Sequence, residues 1–247
     1  MLLKDKWTVI TGCNRGIGLE TLKVFAREGS NIIACSRIAK KDFTEVCNEF
    51  SSKYSVEIKN VTFDLEDLQQ TKDAVRAIKS AYRRVDILIN NAAIATGALF
   101  NMTKIDEINR VFKINYIAPI ILSQGISRSM IRAKGGCIIN ISSNAGIYAE
   151  SGMTAYGSSK AALIYVTKVM AKELAAYNIR VNAIAPGAVE TEMLDQMEEN
   201  ARSNLTKFSM MKRPAKTIEV ANTALYLASE LAEFVTGQVI SVDGGRN

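Results

Sequence analysis

Thr11-Gly12-Cys13-Asn14-Arg15-Gly16-Ile17-Gly18 connects the first apolar run of the chain, Thr8 to Thr11, to a stretch of helical composition, Gly18 to Glu28. Glycines in such a strand-to-helix turn allow the backbone to approach a pyrophosphate group closely. The helix N-terminus adds unpaired N–H groups and the positive end of the helix dipole. The stretch therefore predicts a dinucleotide-binding turn, and a tight structural turn without a ligand is the alternative.

Short apolar runs and longer helical stretches alternate along the rest of the chain. Helical composition is found, for example, in Leu68 to Tyr82 and Ile105 to Met130. The runs rich in β-branched residues are Asn31 to Cys35, Ile58 to Phe63, Ile87 to Asn90, Cys137 to Ile141, Val181 to Ile184 and Val239 to Val242. This alternation indicates an α/β protein with a parallel sheet and crossover helices. No low-complexity linker interrupts it, so we expect a single domain over residues 1–247.

The most informative feature of the composition is that 247 residues include no histidine. Its absence excludes Ser-His-Asp hydrolysis, histidine-ligated zinc and histidine acid/base chemistry. Proton transfer must therefore use tyrosine, lysine, cysteine or a carboxylate. The net charge of +6 is spread along the chain, and a phosphate-bearing cofactor or substrate accounts for it as well as nucleic acid does. We expect no nucleic-acid partner and no metal.

Apolar runs and cysteines indicate where the protein works. No apolar run reaches the roughly 18 residues of a membrane span, and the N-terminus lacks the apolar stretch of a secretory signal. Cys13, Cys35, Cys47 and Cys137 form no Cys-x-x-Cys pair, and Cys35 and Cys137 lie in apolar runs as small core residues do. We expect a cytoplasmic protein without membrane contact.

The end of the second predicted strand indicates which dinucleotide binds. That strand ends Ala34-Cys35-Ser36-Arg37 without an acidic residue, and Arg15 stands in the glycine loop. A carboxylate at this point hydrogen-bonds a ribose diol, whereas an arginine forks onto phosphate oxygens. The two arginines therefore favour NADPH over NADH, and simple solvation is the alternative. Asp64, after the third strand, is either an acceptor for the adenine amino group or a helix N-cap.

Tyr156-Gly157-Ser158-Ser159-Lys160 is the catalytic candidate. Tyr156 and Lys160, four residues apart, share one face of a helix. An ammonium about 4 Å from a phenolate, at an effective dielectric constant near 20, stabilises it by roughly 4 kcal/mol. We therefore expect Lys160 to lower the Tyr156 pKa by about three units, so that Tyr156 acts as acid in reduction and base in oxidation. Such pairs also occur by chance.

Two further groups support this candidate. Ser142 and Ser143 follow the strand that precedes Tyr156, and one of their hydroxyls is placed to donate to a substrate carbonyl, while the other merely ends the strand. Asn115 is an uncharged amide in an otherwise apolar stretch and needs a partner. It either orders a water behind Lys160 or is a satisfied core amide.

Together these residues resemble the short-chain dehydrogenase/reductase family over essentially the whole chain. The resemblance implies one three-layer Rossmann domain with a doubly wound parallel sheet of about seven strands, assembled as a homotetramer or homodimer. Position 93 departs, because the family usually has glycine where this chain has Ala93. The matching motifs are Thr11 to Gly18, Asn90-Asn91-Ala92-Ala93, Asn115, Ser143, Tyr156 with Lys160, Pro186-Gly187 followed by Thr191, and Val242-Asp243-Gly244-Gly245.

The resemblance also implies individual roles. The catalytic tetrad is Asn115, Ser143, Tyr156 and Lys160, and Lys160 also holds the nicotinamide ribose. Val189 and Thr191 contact the carboxamide. The full set of expected NADP(H) contacts is Gly12, Asn14, Arg15, Gly16, Ile17, Gly18, Ser36, Arg37, Asp64, Leu65, Asn91, Ala92, Ala93, Tyr156, Lys160, Pro186, Gly187, Val189 and Thr191.

Within the family the chain is most similar to 3-oxoacyl-acyl-carrier-protein reductases, which implies a ketone of an acyl thioester as substrate and an acyl carrier protein as partner. Those enzymes place two basic residues at the site mouth. Lys134 matches one position, but Tyr177 occupies the other. A nucleotide-sugar, polyol or other small-carbonyl dehydrogenase is the alternative, and a noncatalytic NADP-binding regulator is the alternative from another class.

Two segments depart from the regular pattern. The helix after Tyr156 is apolar almost all round between Ala161 and Ala171, which predicts a subunit contact or deep packing under a loop. The stretch Ala188 to Arg213 mixes charges with Met193, Leu194, Met197, Phe208, Met210 and Met211. It is either a substrate lid or an amphipathic surface helix.

Overall fold

The computed structural model describes residues 1–191 and 208–246. Within them the chain forms seven strands, each close to one of the predicted apolar runs. Their bounds are β1 Trp7–Thr11, β2 Asn31–Ser36, β3 Ile58–Thr62, β4 Ile87–Asn90, β5 Gly136–Ile141, β6 Ile179–Pro186 and β7 Val239–Val242.

These strands form one parallel sheet in the order β3-β2-β1-β4-β5-β6-β7. The order reverses between β1 and β4, so the loops after these two strands diverge and leave a crevice at the carboxyl edge of the sheet. Ligands of open α/β sheets bind at this position. The glycine loop after β1 and the Asn91 loop after β4 therefore border the same crevice. The predicted doubly wound sheet of about seven strands is confirmed.

Helices cover both faces of the sheet and complete the three layers. The helices α1, α2 and α7 pack on one face, and α3, α5 and α6 on the other. The main helices are α1 Gly16–Arg27, α2 Lys41–Tyr54, α3 Leu68–Ala81, α4 Ile105–Phe112, α5 Ala118–Ala133, α6 Thr154–Leu174 and α7 Thr217–Ala228. In the described part of the chain, no helix is long and apolar enough to cross a membrane.

The predicted helix Ile105 to Met130 is interrupted by a π turn. Helix α4 passes at Phe112 into the π-helical turn Lys113–Ile117, and α5 continues from Ala118. Apolar periodicity does not reveal this change, because the turn still directs Ile114 and Asn115 into the protein. Single π turns within α-helices are frequent at functional sites.

Helix α6 buries one stripe of its surface and exposes another. Leu163, Thr167 and Ala171 are buried, whereas the Tyr165 side chain is 71% exposed. Among the residues that the structure describes, nothing covers Tyr165, and the predicted subunit contact stays a prediction.

All four cysteines are buried free thiols. Burial raises the pKa of Cys35 to about 12 and that of Cys137 to about 11, and it also raises the pKa of Cys13 and Cys47. A thiol whose ionised form is so disfavoured does not exchange protons near neutrality. Tyrosine, lysine and carboxylates remain as acid/base candidates.

Candidate active site

The glycine loop forms a tight cradle at the start of α1. Gly12 and Gly16 have φ angles of 65° and 53°, a region that side chains other than glycine rarely occupy. A Cβ atom on Gly18 would lie 2.2 Å from the Gly12 carbonyl oxygen and 2.5 Å from Asn91 Nδ2. All three positions therefore require glycine, and Asn14 and Ile17 are partly buried between them.

The N-terminus of α1 suits a phosphate group. No side chain caps this helix, and its first turn contains no acidic residue. By contrast, Asp67 caps α3 by accepting hydrogen bonds from the backbone N–H groups of Gln69 and Gln70. The first N–H groups of a helix lack intrahelical acceptors, so those of α1 are available to an anion beside the glycine cradle. The residues present fit the pyrophosphate of a dinucleotide.

Thr11 joins the two loops that border the crevice. Its hydroxyl accepts hydrogen bonds from the backbone N–H groups of Asn91 and Ala92 at 3.0 and 3.1 Å. The Asn91 side chain in turn donates a hydrogen bond from Nδ2 to the Thr11 carbonyl at 2.8 Å. The loop after β4, including the partly buried Ala93, is thereby fixed against the glycine loop. Thr11 opened the sequence motif, but the pattern gave no sign of this function.

Arg37 and Arg15 are the two residues for which we predict a contact with a 2′-phosphate. Arg37 is exposed directly after the strand, and Arg15 is exposed in the glycine loop on the neighbouring strand. Ser36 is buried, and its hydroxyl donates to the Ile38 carbonyl at 3.1 Å, which shapes the turn below Arg37. Arg15 and Arg37 thus lie in the loops that follow two neighbouring strands, at the same edge of the sheet.

Asp64 is not the N-cap of α3, because Asp67 has that place. The Asp64 carboxylate instead accepts a hydrogen bond from the Glu66 N–H at 2.9 Å. Asp64 lines an open cleft of about 540 Å³ together with Asp67, Gln70 and Lys113. Leu65 is partly buried beside it. Of the two predictions for Asp64, the adenine acceptor is the one that the structure leaves.

Ser143 and Tyr156 meet across a closely packed turn. A short 3-10 helix, Asn144–Gly146, follows Ser143 and lies against α6. A Cβ atom on Gly146 would be 2.7 Å from the Lys160 carbonyl carbon, and one on Gly157 would be 2.8 Å from the Ala145 carbonyl oxygen. The two glycines therefore allow the contact that brings the Ser143 hydroxyl into hydrogen-bonding reach of Tyr156.

The two candidate serines have different partners. The Ser142 hydroxyl donates to the Lys160 carbonyl at 3.0 Å and is thus committed to holding α6. Ser143 caps the 3-10 helix by accepting the Ala145 N–H at 3.2 Å, and its own hydroxyl donates a long hydrogen bond to Asn144 Oδ1 at 3.5 Å. Ser142 therefore has a structural role, and the contact of Ser143 with a substrate carbonyl stays a prediction.

Lys160 is almost completely buried, at 2% exposure. Its ammonium donates to the Ile141 carbonyl at 2.7 Å and lies 5.7 Å from the centre of the Tyr156 ring. Burial lowers the Lys160 pKa to about 7, because the apolar surroundings disfavour the charged form. Near neutrality the lysine is therefore poised between its two protonation states.

The Tyr156 pKa is shifted in the direction opposite to our prediction. Burial raises it, and the negative charge of Glu150 raises it further, while the hydrogen bond with Ser143 opposes these effects. We expected Lys160 to lower it by about three units. The expectation failed because desolvation acts on both groups, and a lysine with a pKa of about 7 has lost its positive charge before a tyrosine ionises. In the cofactor-free chain Tyr156 is a protonated acid.

The Asn115 side-chain amide has hydrogen-bond partners within the protein, as a core amide requires, and its predicted contact with a water behind Lys160 stays a prediction. Its Nδ2 donates to the Ile94 carbonyl at 2.9 Å and to the Ser159 hydroxyl at 3.1 Å, and its Oδ1 accepts the Ile94 N–H at 2.9 Å. The side chain thus joins the π turn to the loop after β4 and to α6. Its place is close to Lys160, but both amide hydrogens are already used.

The residues after β6 reach the same crevice. Gly187 packs so closely against Asp243 that an added Cβ atom would lie 2.9 Å from the Asp243 Cβ. Pro186 and Val189 are buried, and a Cβ atom on Gly16 would lie 3.3 Å from Thr191 Cγ2. Thr191 therefore faces the glycine loop. Met193, Leu194 and Met197 of the predicted lid lie outside the described residues.

Lys134 and Tyr177 are not at the mouth of this site. Lys134 precedes β5 and Tyr177 precedes β6, which places both at the amino edge of the sheet. Ser143 and Gly187 follow the same strands at the carboxyl edge. A strand of six residues spans about 20 Å, so within one chain both positions are remote from the crevice, and the carrier contact stays a prediction.

The parallel sheet, the glycine cradle and the Ser143–Tyr156–Lys160 group define a dinucleotide-binding oxidoreductase. No cluster of metal-ligating side chains was found among the residues that the structure describes. A family model described as short chain dehydrogenase matches residues 6–202. The chain belongs to the short-chain dehydrogenase/reductase family.

Relatives and solved structures show which known proteins the chain is similar to. It is 40% identical over 248 residues to the 3-oxoacyl-[acyl-carrier-protein] reductase FabG of Thermotoga maritima, covering 99% of each chain. It is 32% identical to a 3alpha-hydroxysteroid dehydrogenase of Mediterraneibacter gnavus, covering 99% of this chain and 98% of the relative. The crystal structure of L-sorbose reductase from Gluconobacter frateurii, complexed with NADPH and L-sorbose, matches with a TM-score of 0.91 at 28% identity, over 100% and 98% of the two chains.

Proposed function

We propose that this protein is an NADPH-dependent reductase that converts a ketone to an alcohol, and that the ketone is that of a 3-oxoacyl thioester. The observation that carries the proposal is the placement of the Ser143 and Tyr156 hydroxyls within hydrogen-bonding reach, with Lys160 behind them at the crevice of the glycine loop. The T. maritima relative, at 40% identity, supports the substrate class.

The cofactor is NADP(H), which supplies the hydride when bound. Gly12, Gly16 and Gly18 with the α1 N-terminus would hold its pyrophosphate, and Arg15 and Arg37 its 2′-phosphate. We assign further contacts with the cofactor to residues in the loops at the carboxyl edge of the sheet: Asp64, Leu65, Asn91, Ala92, Ala93, Val189 and Thr191.

The proton that the alcohol oxygen receives is supplied by residues of this chain. Ser143 donates a hydrogen bond to the substrate carbonyl oxygen and holds it beside Tyr156. Tyr156, whose raised pKa keeps it protonated, gives its hydroxyl proton to that oxygen as the alcohol forms. The phenolate so produced lies one helical turn from Lys160, whose protonated form stabilises it by its charge and whose pKa of about 7 allows it to exchange protons at neutral pH. Asn115 keeps the surrounding loop and α6 in place.

We further propose that the protein acts in the cytoplasm as a homotetramer or homodimer. The exposed Tyr165 on α6 and the exposed Ile117 at the end of the π turn provide apolar surface for subunit contact. An acyl carrier protein is the proposed partner that delivers the thioester.

A second candidate substrate class is a small polyol or sugar ketone, which the likeness to L-sorbose reductase favours. The protein should be incubated with NADPH and, separately, an acetoacetyl thioester, a diketone and a ketose, and loss of NADPH absorbance recorded. We expect the thioester to be reduced fastest. Faster reduction of the ketose would replace the thioester proposal.

The matched variant is Tyr156→Phe, which removes only the hydroxyl group. We expect it to lose about 10²- to 10⁴-fold in kcat while its Kd for NADPH is retained. If no ketone is reduced by the wild-type protein but NADPH binds, the chain is a noncatalytic NADP-binding protein. Undiminished turnover in Tyr156→Phe would refute the role of Tyr156.

A further inference from the structure

Arg246 lies at the centre of a cluster near the end of the chain. Its guanidinium forms an ion pair with Glu150 and lies 5.0 Å from the ring centre of Tyr148 and 5.2 Å from that of Phe208. The side chains of Arg246 and Glu150 are only 10% and 16% exposed. Removing one partner of so desolvated a pair leaves the other charge poorly compensated. No sequence motif pointed to this cluster.

The backbone near Arg246 is fixed on two sides. Asp243 accepts hydrogen bonds from the N–H groups of Gly245 and Arg246 at 3.1 and 3.3 Å, which holds the turn that presents the guanidinium. Ser209 forms an antiparallel backbone β-bridge with Arg246, and the Met210 N–H donates a hydrogen bond to the Gly245 carbonyl at 3.0 Å. Through Arg246 the C-terminal turn is therefore connected both to residues 208–211 and to the loop that carries Glu150.

This loop is the one between the two proposed catalytic hydroxyls. Glu150 lies between Ser143 and Tyr156 in the sequence, and its charge acts on Tyr156. Asn144, adjacent to Ser143, lines a small hollow together with Phe208, Ser209 and Arg246. The ion pair thus borders the hollow that Asn144, the neighbour of Ser143, also lines.

We propose that Glu150 and Arg246 are a positioning pair for the reaction: Arg246 anchors the loop between Ser143 and Tyr156 to the C-terminal turn, and it neutralises the carboxylate that this loop brings near the catalytic tyrosine. The inference rests on the proposed function, because it assigns the pair an effect on proton exchange by Tyr156.

Several groups act on Tyr156 from the elements around it. Lys160 does so from the same helix, Ser143 from the end of β5, Glu150 from the loop, and Arg246 from the C-terminal turn through its pairing with Glu150. A bound oxidised nicotinamide adds a positive charge. A unit charge about 10 Å from a titrating group shifts its pKa by about one unit at an effective dielectric constant near 20. Opposite charges at positions 150 and 246 must therefore act on Tyr156 in opposite directions.

The experiment is the pH profile of kcat/KM for oxidation of a 3-hydroxybutyryl thioester by NADP+, a direction in which Tyr156 must be ionised. For Glu150→Gln we expect the rising limb to move to lower pH by about half a unit to one unit. For Arg246→Met we expect a similar shift to higher pH, because the carboxylate is left unpaired. The double variant should return close to the wild-type position.

A matched control removes an arginine from an ion pair elsewhere. Arg76 pairs with Asp73 at 2.7 Å on the exposed surface of α3, and Arg76→Met should leave the limb unmoved. If the ion pair only stabilised the structure, both single variants would lose activity and have a lower thermal unfolding temperature. The rising limbs of their pH profiles would then not move in opposite directions. Shifts in the same direction, or none, would overturn the proposal while leaving the reductase function intact.

Should Arg246→Met fail to fold, Glu150→Gln and Arg246→Lys carry the test. Arg246→Lys keeps the positive charge, so the rising limb of its pH profile should coincide with that of the wild type. The rising limb of Glu150→Gln should still move to lower pH. An unmoved limb in Glu150→Gln would refute the charge effect. If the wild-type protein oxidises no hydroxyacyl thioester, sugar alcohol or other secondary alcohol, the proposed function itself fails.

Discussion

The Lys160 ammonium donates a hydrogen bond to the carbonyl oxygen of Ile141 at 2.7 Å. This bond links α6 to the end of β5, one residue before the two serines. It ties the lysine to the sheet rather than to the Tyr156 hydroxyl, and burial at this point brings the Lys160 pKa down to about 7. Lysine burial should therefore be visible in the stability of the protein as well as in its activity.

Stability is expected to depend on pH through Lys160. Its pKa falls from 10.5 to about 7 on folding, so between these values the unfolded chain binds more protons. The free energy of unfolding should therefore rise with pH across this window, by up to about 1.4 kcal/mol per pH unit from this group. The stabilisation is lost as pH falls through 7. Lys160→Met should show a flatter pH dependence in urea unfolding.

The control is Lys172→Met, which removes an exposed lysine from the same helix. It should keep the wild-type pH dependence. Equal slopes for the wild type and Lys160→Met would contradict the assigned pKa.

Gly146→Ala tests the packing of the catalytic turn. The added methyl would meet the Lys160 carbonyl carbon at 2.7 Å and the Ala161 nitrogen at 2.8 Å, and this helix backbone cannot move aside easily. We expect a loss of about 1–3 kcal/mol in stability and a reduced kcat, because Ser143 is displaced from Tyr156. Gly97→Ala, whose nearest new neighbour is the Gly152 carbonyl oxygen at 3.9 Å, is the control and should leave both unchanged.

Asn115→Ala removes the amide that joins the π turn to its surroundings. The Ile94 N–H and carbonyl would lose their partner, and a buried polar group without a hydrogen bond costs about 1–3 kcal/mol. We expect this loss in denaturant unfolding. Asn109→Ala, at an exposed position of α4, provides the comparison. A fully stable Asn115→Ala with lowered activity would indicate that Asn115 acts chemically rather than by holding the loop.

Arg37→Ser tests the choice of cofactor. Removing the guanidinium loses a charge-assisted hydrogen bond to the 2′-phosphate, worth about 1.5–3 kcal/mol, or roughly a 10- to 100-fold rise in the Kd of NADPH. The Kd of NADH, which lacks this phosphate, should change little. Arg37→Lys retains the charge without the fork and should fall between the two. A parallel weakening of both dinucleotides would refute the assignment.

The sequence predicted the sheet well because its inner strands, such as β4 and β5, are buried on both faces and therefore read as apolar runs. Each of the seven was located within about two residues, and the glycine spacing indicated the cofactor crevice. The pKa shifts of the site residues were harder to predict from the sequence. The direction of the Tyr156 shift depends on how deeply Tyr156 and Lys160 are buried, and a spacing of four residues does not contain that information.

Contacts between distant segments were also beyond the sequence. Glu150 and Arg246 lie 96 positions apart, and nothing in either local pattern indicates an ion pair. Lys134 and Tyr177 are similar in this respect, since only the strand directions reveal that they lie at the amino edge. The two alternatives for Asp64 stayed open for a local reason, because Asp64 and Asp67 are both acceptable caps for a helix that begins at Leu68.

The π turn Lys113–Ile117 makes this helix sensitive to a single-residue deletion. A π turn holds one residue more than an α-helical turn, and each residue of an α-helix advances about 100° around the axis. Deleting one residue here would remove the extra residue of the π turn that joins α4 to α5. It would also rotate α4 relative to α5 and turn Asn115 away from Ile94. Natural and engineered length variation should therefore be tolerated in the loops before Ile105 and excluded from these five residues.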